Sequence, residues 1–413
     1  MEKIAAFVQE HLADDTAKLI LSRSKWPEID MDLAVACIES RRKLKNKVQD
    51  WYCRPELIFP ARLSAEQCSS SATATYKARF ASEIGGEGFR IADLTGGLGV
   101  DSWYFSKYAS QVLYNEMQES LCIAAKHNFK SLSAENITVS NLRIEPASER
   151  MHEILTEFKP DIIFMDPARR SETGKKVFLI EDCSPDVLTL RSDIFSHCRH
   201  ILLKLSPMAD ITMVCTRLGS TCREVRVVAY GSECKELLIW MDREWNGDYE
   251  VKAVELPADY PAGKEAEFTF KASDEKAAKI TFATPEAPCY LFEPGKAMMK
   301  SGCFNLISER LELAKLGVST HYYITSDPDK ASALRQLGKV FEIISCQPLD
   351  KRSIKSVGKD YPHAEVTARN IPMESDALRK KLGVTSGDDA HIFGLKSDKS
   401  GNLLLVTQRF CVK

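Results

Sequence analysis

Apolar and polar residues change rhythm twice along this chain. Up to about residue 78 the apolar positions recur at three- and four-residue spacing, as in FVQEHLADDTAKLIL and MDLAVACIESRRKLKNKVQDW. That period predicts amphipathic helices, and Asp30 is placed to cap the second of them. From Arg90 onward, short apolar runs alternate with helical stretches. RIADL, QVLYNE, NITVSNL, DIIFMD and HILLKLS read as five strands, with helices between them such as SLCIAAKHNFKSL, MHEILTEF and VLTLRSDIFSHC. VRVVAY and KELLIWM are separated only by GSEC, which is hairpin distance. Repeated strand–helix units predict a parallel, doubly wound α/β sheet with right-handed crossovers, closed by one antiparallel strand. Near Trp245–Gly247 the alternation stops. Beyond it EAEFTF and AKITFA read as strands and LISERLELAKL as a helix. KVFEII, HAEVTA, HIFGLK and LLLVTQRF then read as strands around the helices SIKSV and ESDALRKKLG.

A chain of 413 residues exceeds one ordinary core. Four domains are expected, over residues 1–78, 79–246, 247–336 and 337–413. A net charge of -2 carries no information about partners, so local charge must be read instead. The acidic, amphipathic N-terminus is wrong for a signal or transit peptide, and no run of about 18 apolar residues occurs. The expectation is a cytoplasmic protein without a membrane partner. The 13 cysteines are odd in number and form no C-x-x-C pair, and the 8 histidines are dispersed. Reduced thiols and no metal site are expected.

The segment IADLTGGLGVDS, Ile91 to Ser102, carries the most specific signal. Asp93 closes the first strand, and Thr95, Gly96, Gly97 and Gly99 turn the chain into a helix. Glu116 follows the second strand, where an acid can accept hydrogen bonds from ribose hydroxyls. A dinucleotide loop would want G-x-G-x-x-G/A; here the third position is Ser102. A phosphate P-loop would want a lysine that Val100-Asp101-Ser102 lacks. An acid leading the loop suits an ammonium group better than a pyrophosphate. S-adenosylmethionine, with an amino acid, a ribose and no phosphate, meets that requirement.

The runs DLTGGLGVDS, YNE and DPARR together resemble a class I S-adenosylmethionine-dependent methyltransferase over about 160 residues, Ser82 to Trp245. The resemblance implies a Rossmann-like seven-stranded core in which Asp93, Thr95, Gly96, Gly97 and Gly99 hold the methionine end and Glu116 the ribose. It departs from the family's pattern after the third strand, where Glu145 or Ser148 is left to read adenine. LSAEQCSSSATATYKARF resembles the helix that precedes the first strand in these enzymes, making Ser69, Ser70 and Thr73 candidate contacts; a capped helix with small packing residues explains them as well. YLFEPGKAMMKSGCFNLISERLELAKL and AEVTARNIPMESDALRKKLGV resemble the ferredoxin-like and THUMP-like modules appended to a group of bacterial methyltransferases. THUMP domains bind RNA, so the resemblance implies tRNA or rRNA as partner.

Asp166 falls at the carboxyl end of the fourth strand, where such sheets place their chemistry. It can accept a proton or hydrogen bond from a substrate nitrogen, with Lys204 at the end of the fifth strand leaning over the site to bind substrate and Pro167, Arg169 and Arg170 as further substrate contacts. No cysteine stands in DPAR or KLSP, which argues against methylation of carbon through a covalent adduct. Two basic clusters flank the core: Arg41, Arg42, Lys43, Lys45 and Lys47, and the tail from Lys351, with 12 lysines and arginines against 7 acids. Both are electrostatic footprints expected for RNA. Three other classes stay open at this point: a protein or small-molecule methyltransferase, a nicotinamide oxidoreductase, and a non-catalytic RNA-binding protein.

Overall fold

The computed structural model describes residues 2–169 and 179–410, and the chain divides into two compact units. The first comprises residues 1–230, 235–249 and 259–262, and the second residues 231–234, 250–258 and 263–413.

The first unit opens with helices from Glu2–Glu10 to Ser71–Gly85. Ile4, Phe7, Val8, Ala34, Val35 and Ile38 recur at helical spacing and form one apolar cluster. Asp30 caps the helix Met31–Leu44 as expected, accepting from Leu33 N at 3.1 Å. The sheet follows, with β1 (Arg90–Asp93), β2 (Gln111–Asn115), β3 (Ile137–Ser140) and β4 (Ile162–Met165). Two short strands, β5 (Ala168–Arg169) and β6 (Cys183–Ser184), pair with each other, and β7 (His200–Leu205), β8 (Cys222–Tyr230) and β9 (Glu233–Asp242) complete the set. The seven sheet strands run in the order β8-β9-β7-β4-β1-β2-β3. Pairings from β3 through β7 are parallel, and β7–β9 is antiparallel. The central strands β1 and β4 are buried almost throughout, as expected for a parallel sheet covered on both faces. All three neighbours β2, β1 and β4 deliver their carboxyl ends to the same edge.

The second unit holds the hairpin β10 (Glu250–Leu256) and β11 (Ala266–Lys271). It also holds a seven-stranded sheet built from β12 (Cys289–Pro294), β13 (Ala314–Lys315), β14 (Tyr323–Thr325), β15 (Gly338–Pro348), β16 (His363–Arg369), β17 (Thr385–Ser397) and β18 (Gly401–Arg409). Its order is β13-β14-β12-β15-β18-β17-β16. The boundary expected between residues 336 and 337 therefore falls within one sheet. The reason is β15, whose 11 residues bond β12 through their first half and β18 through their second.

Two expectations are corrected here. AKITFA is not a strand; Phe282 forms one isolated bridge to Lys315, and Pro285 and Pro288 follow closely. The helix expected through LELAKL stops at Arg310, because Glu312 takes φ 51° and turns the chain into β13. Among the described residues the cysteines are free, no cluster of metal-ligating side chains occurs, and no helix is long and apolar enough to cross a membrane.

Candidate active site at the carboxyl edge of the parallel sheet

The glycine loop leaves β1 and crosses the end of β2. Gly96 N donates to the Asn115 carbonyl at 2.7 Å, and a Cβ on Gly96 would stand 2.2 Å from the Tyr114 ring. Only glycine allows that approach. Gly99, at φ 89°, starts the helix Val100–Phe105 and packs against Phe129. Between them Gly97 offers its N–H to Glu116 Oε2 at 3.0 Å, and its carbonyl accepts from the Tyr114 hydroxyl at 2.6 Å. The loop and the acid after β2 are thus tied together before any ligand arrives.

Asp93 is fully buried. Its Oδ2 accepts from Ser102 Oγ at 2.6 Å and its Oδ1 from Thr95 N at 3.1 Å. Burial pushes its pKa up to about 7, with Asp101 and Asp166 adding to the shift and the two hydrogen bonds opposing it. Asp101 is also nearly buried. Its Oδ2 accepts from Ser69 Oγ at 2.8 Å, while Oδ1 has no hydrogen-bond partner and lies 3.3 Å from Lys77 Nζ. Lys77, with no exposed side-chain surface, bonds both Glu236 oxygens at 2.8 and 2.9 Å and Ser69 Oγ at 2.9 Å. Ser69 is therefore a hub between Lys77 and Asp101. Ser70 and Thr73 form a reciprocal capping box on the helix Ser71–Gly85, at 3.1 and 3.2 Å, so their hydroxyls serve the helix terminus.

Glu116 holds both oxygens in place with backbone donors, Gly97 N and Gln118 N, the latter at 2.9 Å. It borders a cavity of about 700 Å³ whose walls include Leu94, Thr95, Met117, Leu142, Ile144 and Pro185. Glu145 and Arg143 stand at its rim, bonded to each other at 2.8 Å. Ser148 is not in the lining; its hydroxyl caps the helix Glu149–Phe158 by accepting from Met151 N at 3.3 Å. The donor set fits S-adenosylmethionine on two counts: an acid held by neutral donors alone, and apolar walls suited to an adenine ring. A pyrophosphate would face Asp93 and Glu116, with Arg143 already engaged.

Asp166 lies one strand away. Its backbone N–H donates to Thr95 Oγ1 at 2.6 Å, which fastens the end of β4 to the glycine loop. Lys204, near the end of β7, donates to Asp166 Oδ2 at 2.5 Å. Burial works against the Lys204 charge, but Asp166, Asp101 and Glu236 outweigh it and hold the ammonium above the ordinary lysine range. Pro167 leads into β5. Arg170 and the Arg169 side chain lie outside the described residues. Sequence reasoning had passed over Asp101, Lys77 and Glu236. Asp101 was visible inside the glycine motif, whereas the Lys77–Glu236 pair spans 159 residues and leaves no local trace.

Residues 290–331 match the family model of a ferredoxin-like domain, and residues 338–409 that of a THUMP-like domain. Two solved proteins similar to this chain carry the name "putative methyltransferase". One, from Porphyromonas gingivalis W83, is 28% identical, with 98% of this chain and 97% of that chain covered at a TM-score of 0.84. The other, from Streptococcus mutans in complex with SAH, is 13% identical, covering 40% of this chain and 95% of that chain at a TM-score of 0.29. An rRNA methylase from Streptococcus thermophilus is 12% identical, covering 40% and 93% at 0.29. No curated protein matches. The first unit has the class I methyltransferase fold, and the second carries ferredoxin-like and THUMP-like modules.

Proposed function

We propose that the chain transfers a methyl group from S-adenosylmethionine to a base nitrogen in structured RNA, either tRNA or rRNA. The observation that carries this reading is the pairing of two unlike carboxylates on adjacent strand ends: Asp93, buried beside an ammonium-accepting loop, and Asp166, partly exposed and paired with Lys204. When bound, the cofactor would supply an electrophilic methyl group. Asp93 and Asp101 would meet its amino-acid ammonium, Glu116 its ribose hydroxyls, and Leu94, Met117 and Leu142 its base. Asp166 would accept the hydrogen of a ring or exocyclic N–H, leaving the nitrogen lone pair free for transfer. Lys204 fixes the direction of that carboxylate. A base in a stem must be flipped out to reach it. Pro167, Arg169 and Arg170 remain the proposed substrate contacts.

The nitrogen target draws support from the absence of a cysteine in DPAR and KLSP. Cys68, in electrostatic reach of Lys204, is a thiol pushed up to about 11 by burial and poorly suited as a nucleophile. The RNA partner draws support from the second basic cluster. The helices Lys351–Asp360 and Ser375–Leu382 pack against each other and expose Lys351, Arg352, Lys355, Lys359, Lys380 and Lys381. The first cluster gives less: Lys43 faces Glu66 at 3.5 Å, Lys47 bonds the Glu66 carbonyl, and Lys45 is exposed. Arg41 is buried and donates to the carbonyls of Tyr52, Arg54, Pro55 and Leu57, and Arg42 to those of Leu12 and Asp14.

Mass spectrometry of nucleosides from total RNA tests the reading. RNA from cells lacking the protein should be short of one methylated nucleoside, and purified protein with cofactor should restore it. Labelled methyl that ends in protein or metabolites, indifferent to ribonuclease, would replace RNA as the substrate.

A further inference from the structure

The second unit contains a cleft that no part of the proposed chemistry uses. Its volume is about 700 Å³, and it lies among the turn at Gly231–Ser232, the ends of the β10–β11 hairpin, the Pro294–Lys296 corner and the start of β15. Four cationic side chains line it, Lys264, Lys296, Arg335 and Lys339, each from a different segment and each exposed. None of the four takes part in an ion pair among the described residues. The two acids of the cleft are engaged with the protein: Glu255 accepts from Ala297 N at 2.7 Å, and Glu293 from the Tyr322 hydroxyl at 3.2 Å. Cations thus outnumber acids in the opening: Lys296 stands in electrostatic reach of Glu255, while Lys264, Arg335 and Lys339 have no ion-pair partner among the described residues.

We infer that this cleft binds the phosphodiester backbone of the RNA substrate, so that the RNA is held by the ferredoxin-like side of the second unit as well as by the basic helices. The inference rests on the RNA reading above. Backbone rather than base is indicated by the lining, which contains no tryptophan, tyrosine or phenylalanine on which a base could stack. It does contain Gly231, at φ 68° with nothing within 4 Å of where a Cβ would stand, which leaves the main chain open to a phosphate at that end of the cleft. Cations spread over four segments suit several consecutive phosphates better than one compact anion.

The test uses the full chain and labelled total tRNA or rRNA, titrated over a range of salt. Replacing Lys264, Lys296, Arg335 and Lys339 together by Gln should lower RNA affinity more than tenfold and flatten the log–log salt dependence by roughly 3, with each lost phosphate contact contributing about 0.7–0.9. The pairs Lys264→Gln/Lys296→Gln and Arg335→Gln/Lys339→Gln should each produce about half of the change in slope. S-adenosylhomocysteine affinity and the melting curve should be those of the wild type. A folded fourfold variant with wild-type RNA affinity and slope overturns the cleft while leaving the RNA reading intact. The same holds if inorganic phosphate or a mononucleotide fills the cleft and RNA does not compete. Wild-type protein that binds no RNA overturns both.

Discussion

Asp93 and Asp166 stand at the ends of neighbouring parallel strands, joined through Thr95, yet they live in opposite electrostatic settings. Asp93 has a hydroxyl and an amide for company and no cation in bonding distance. Asp166 has the Lys204 ammonium. A fold does not bury a carboxylate with neutral partners without a penalty, since burial disfavours the charged form. On the proposed reading, the unpaired acid is where a cation from outside belongs, and the paired one is a carboxylate kept aimed. Replacing each tests the division of labour. Asp166→Ala should lower turnover by about 10²–10⁴-fold, the range of a lost general base, while S-adenosylhomocysteine affinity by calorimetry stays within a factor of about 2. Wild-type turnover in that variant would remove Asp166 from the chemistry.

Glu236 supplies a third setting, a carboxylate paired with Lys77 and sealed from solvent. Burial raises its pKa, and Lys77 and Lys204 oppose the rise. Breaking this pair leaves Glu236 and Asp101 without their nearest cation, with only the Lys204 ammonium still in electrostatic reach. Lys77→Met should therefore destabilise the first unit by about 3–5 kcal/mol. Adding Glu236→Leu should return a large part of the loss, because a well-packed apolar pair can stand in for a buried ion pair. Denaturant unfolding of the two variants measures both. A single variant as stable as the wild type would show that the pair is not what holds the helix Ser71–Gly85 to the sheet.

The same contrast separates what could be read in the sequence from what could not. The alternation of strands and helices was legible because a buried parallel strand is a short apolar run, and Asp93, Gly96 and Glu116 stand at fixed offsets from such runs. Charge runs were not. Arg41 and Lys380 look alike in one dimension, but Arg41 lies on the apolar phase of its helix, beside Ile38 and Leu44, and is drawn inward to four carbonyls. Lys380 sits opposite Leu378 and Leu382 and stays in water. Helical phase would have told them apart. Ser70 and Thr73 show the same limit, for S-x-x-T before a helix describes a capping box and a ligand contact equally well. The union of two modules into one sheet was hidden altogether, since nothing in GKVFEIISCQP says that its two halves pair with strands some 50 and 60 residues away in opposite directions.

Acidity offers the finest test of the Asp93 setting. Its carboxyl titrates near 7 in the fold, against an ordinary value of 3.8. Between those two values the folded chain binds a proton that the unfolded chain has released, so the stability contributed by this group falls as pH rises through the window and is flat above it. A ligand ammonium needs the ionised form. Its affinity should then rise by up to tenfold per pH unit from about 5.5 to 7 and level off beyond. Asp93→Asn, neutral throughout, should bind S-adenosylhomocysteine weakly at every pH and show neither trend. Calorimetry at pH 5.5, 6.5 and 7.5, with melting curves of the free protein alongside, reads both slopes as differences between the two proteins, which cancels the titration of every other group. Equal slopes in wild type and variant would mean that Asp93 is an internal strut of the glycine loop, with its two hydrogen bonds as its whole purpose.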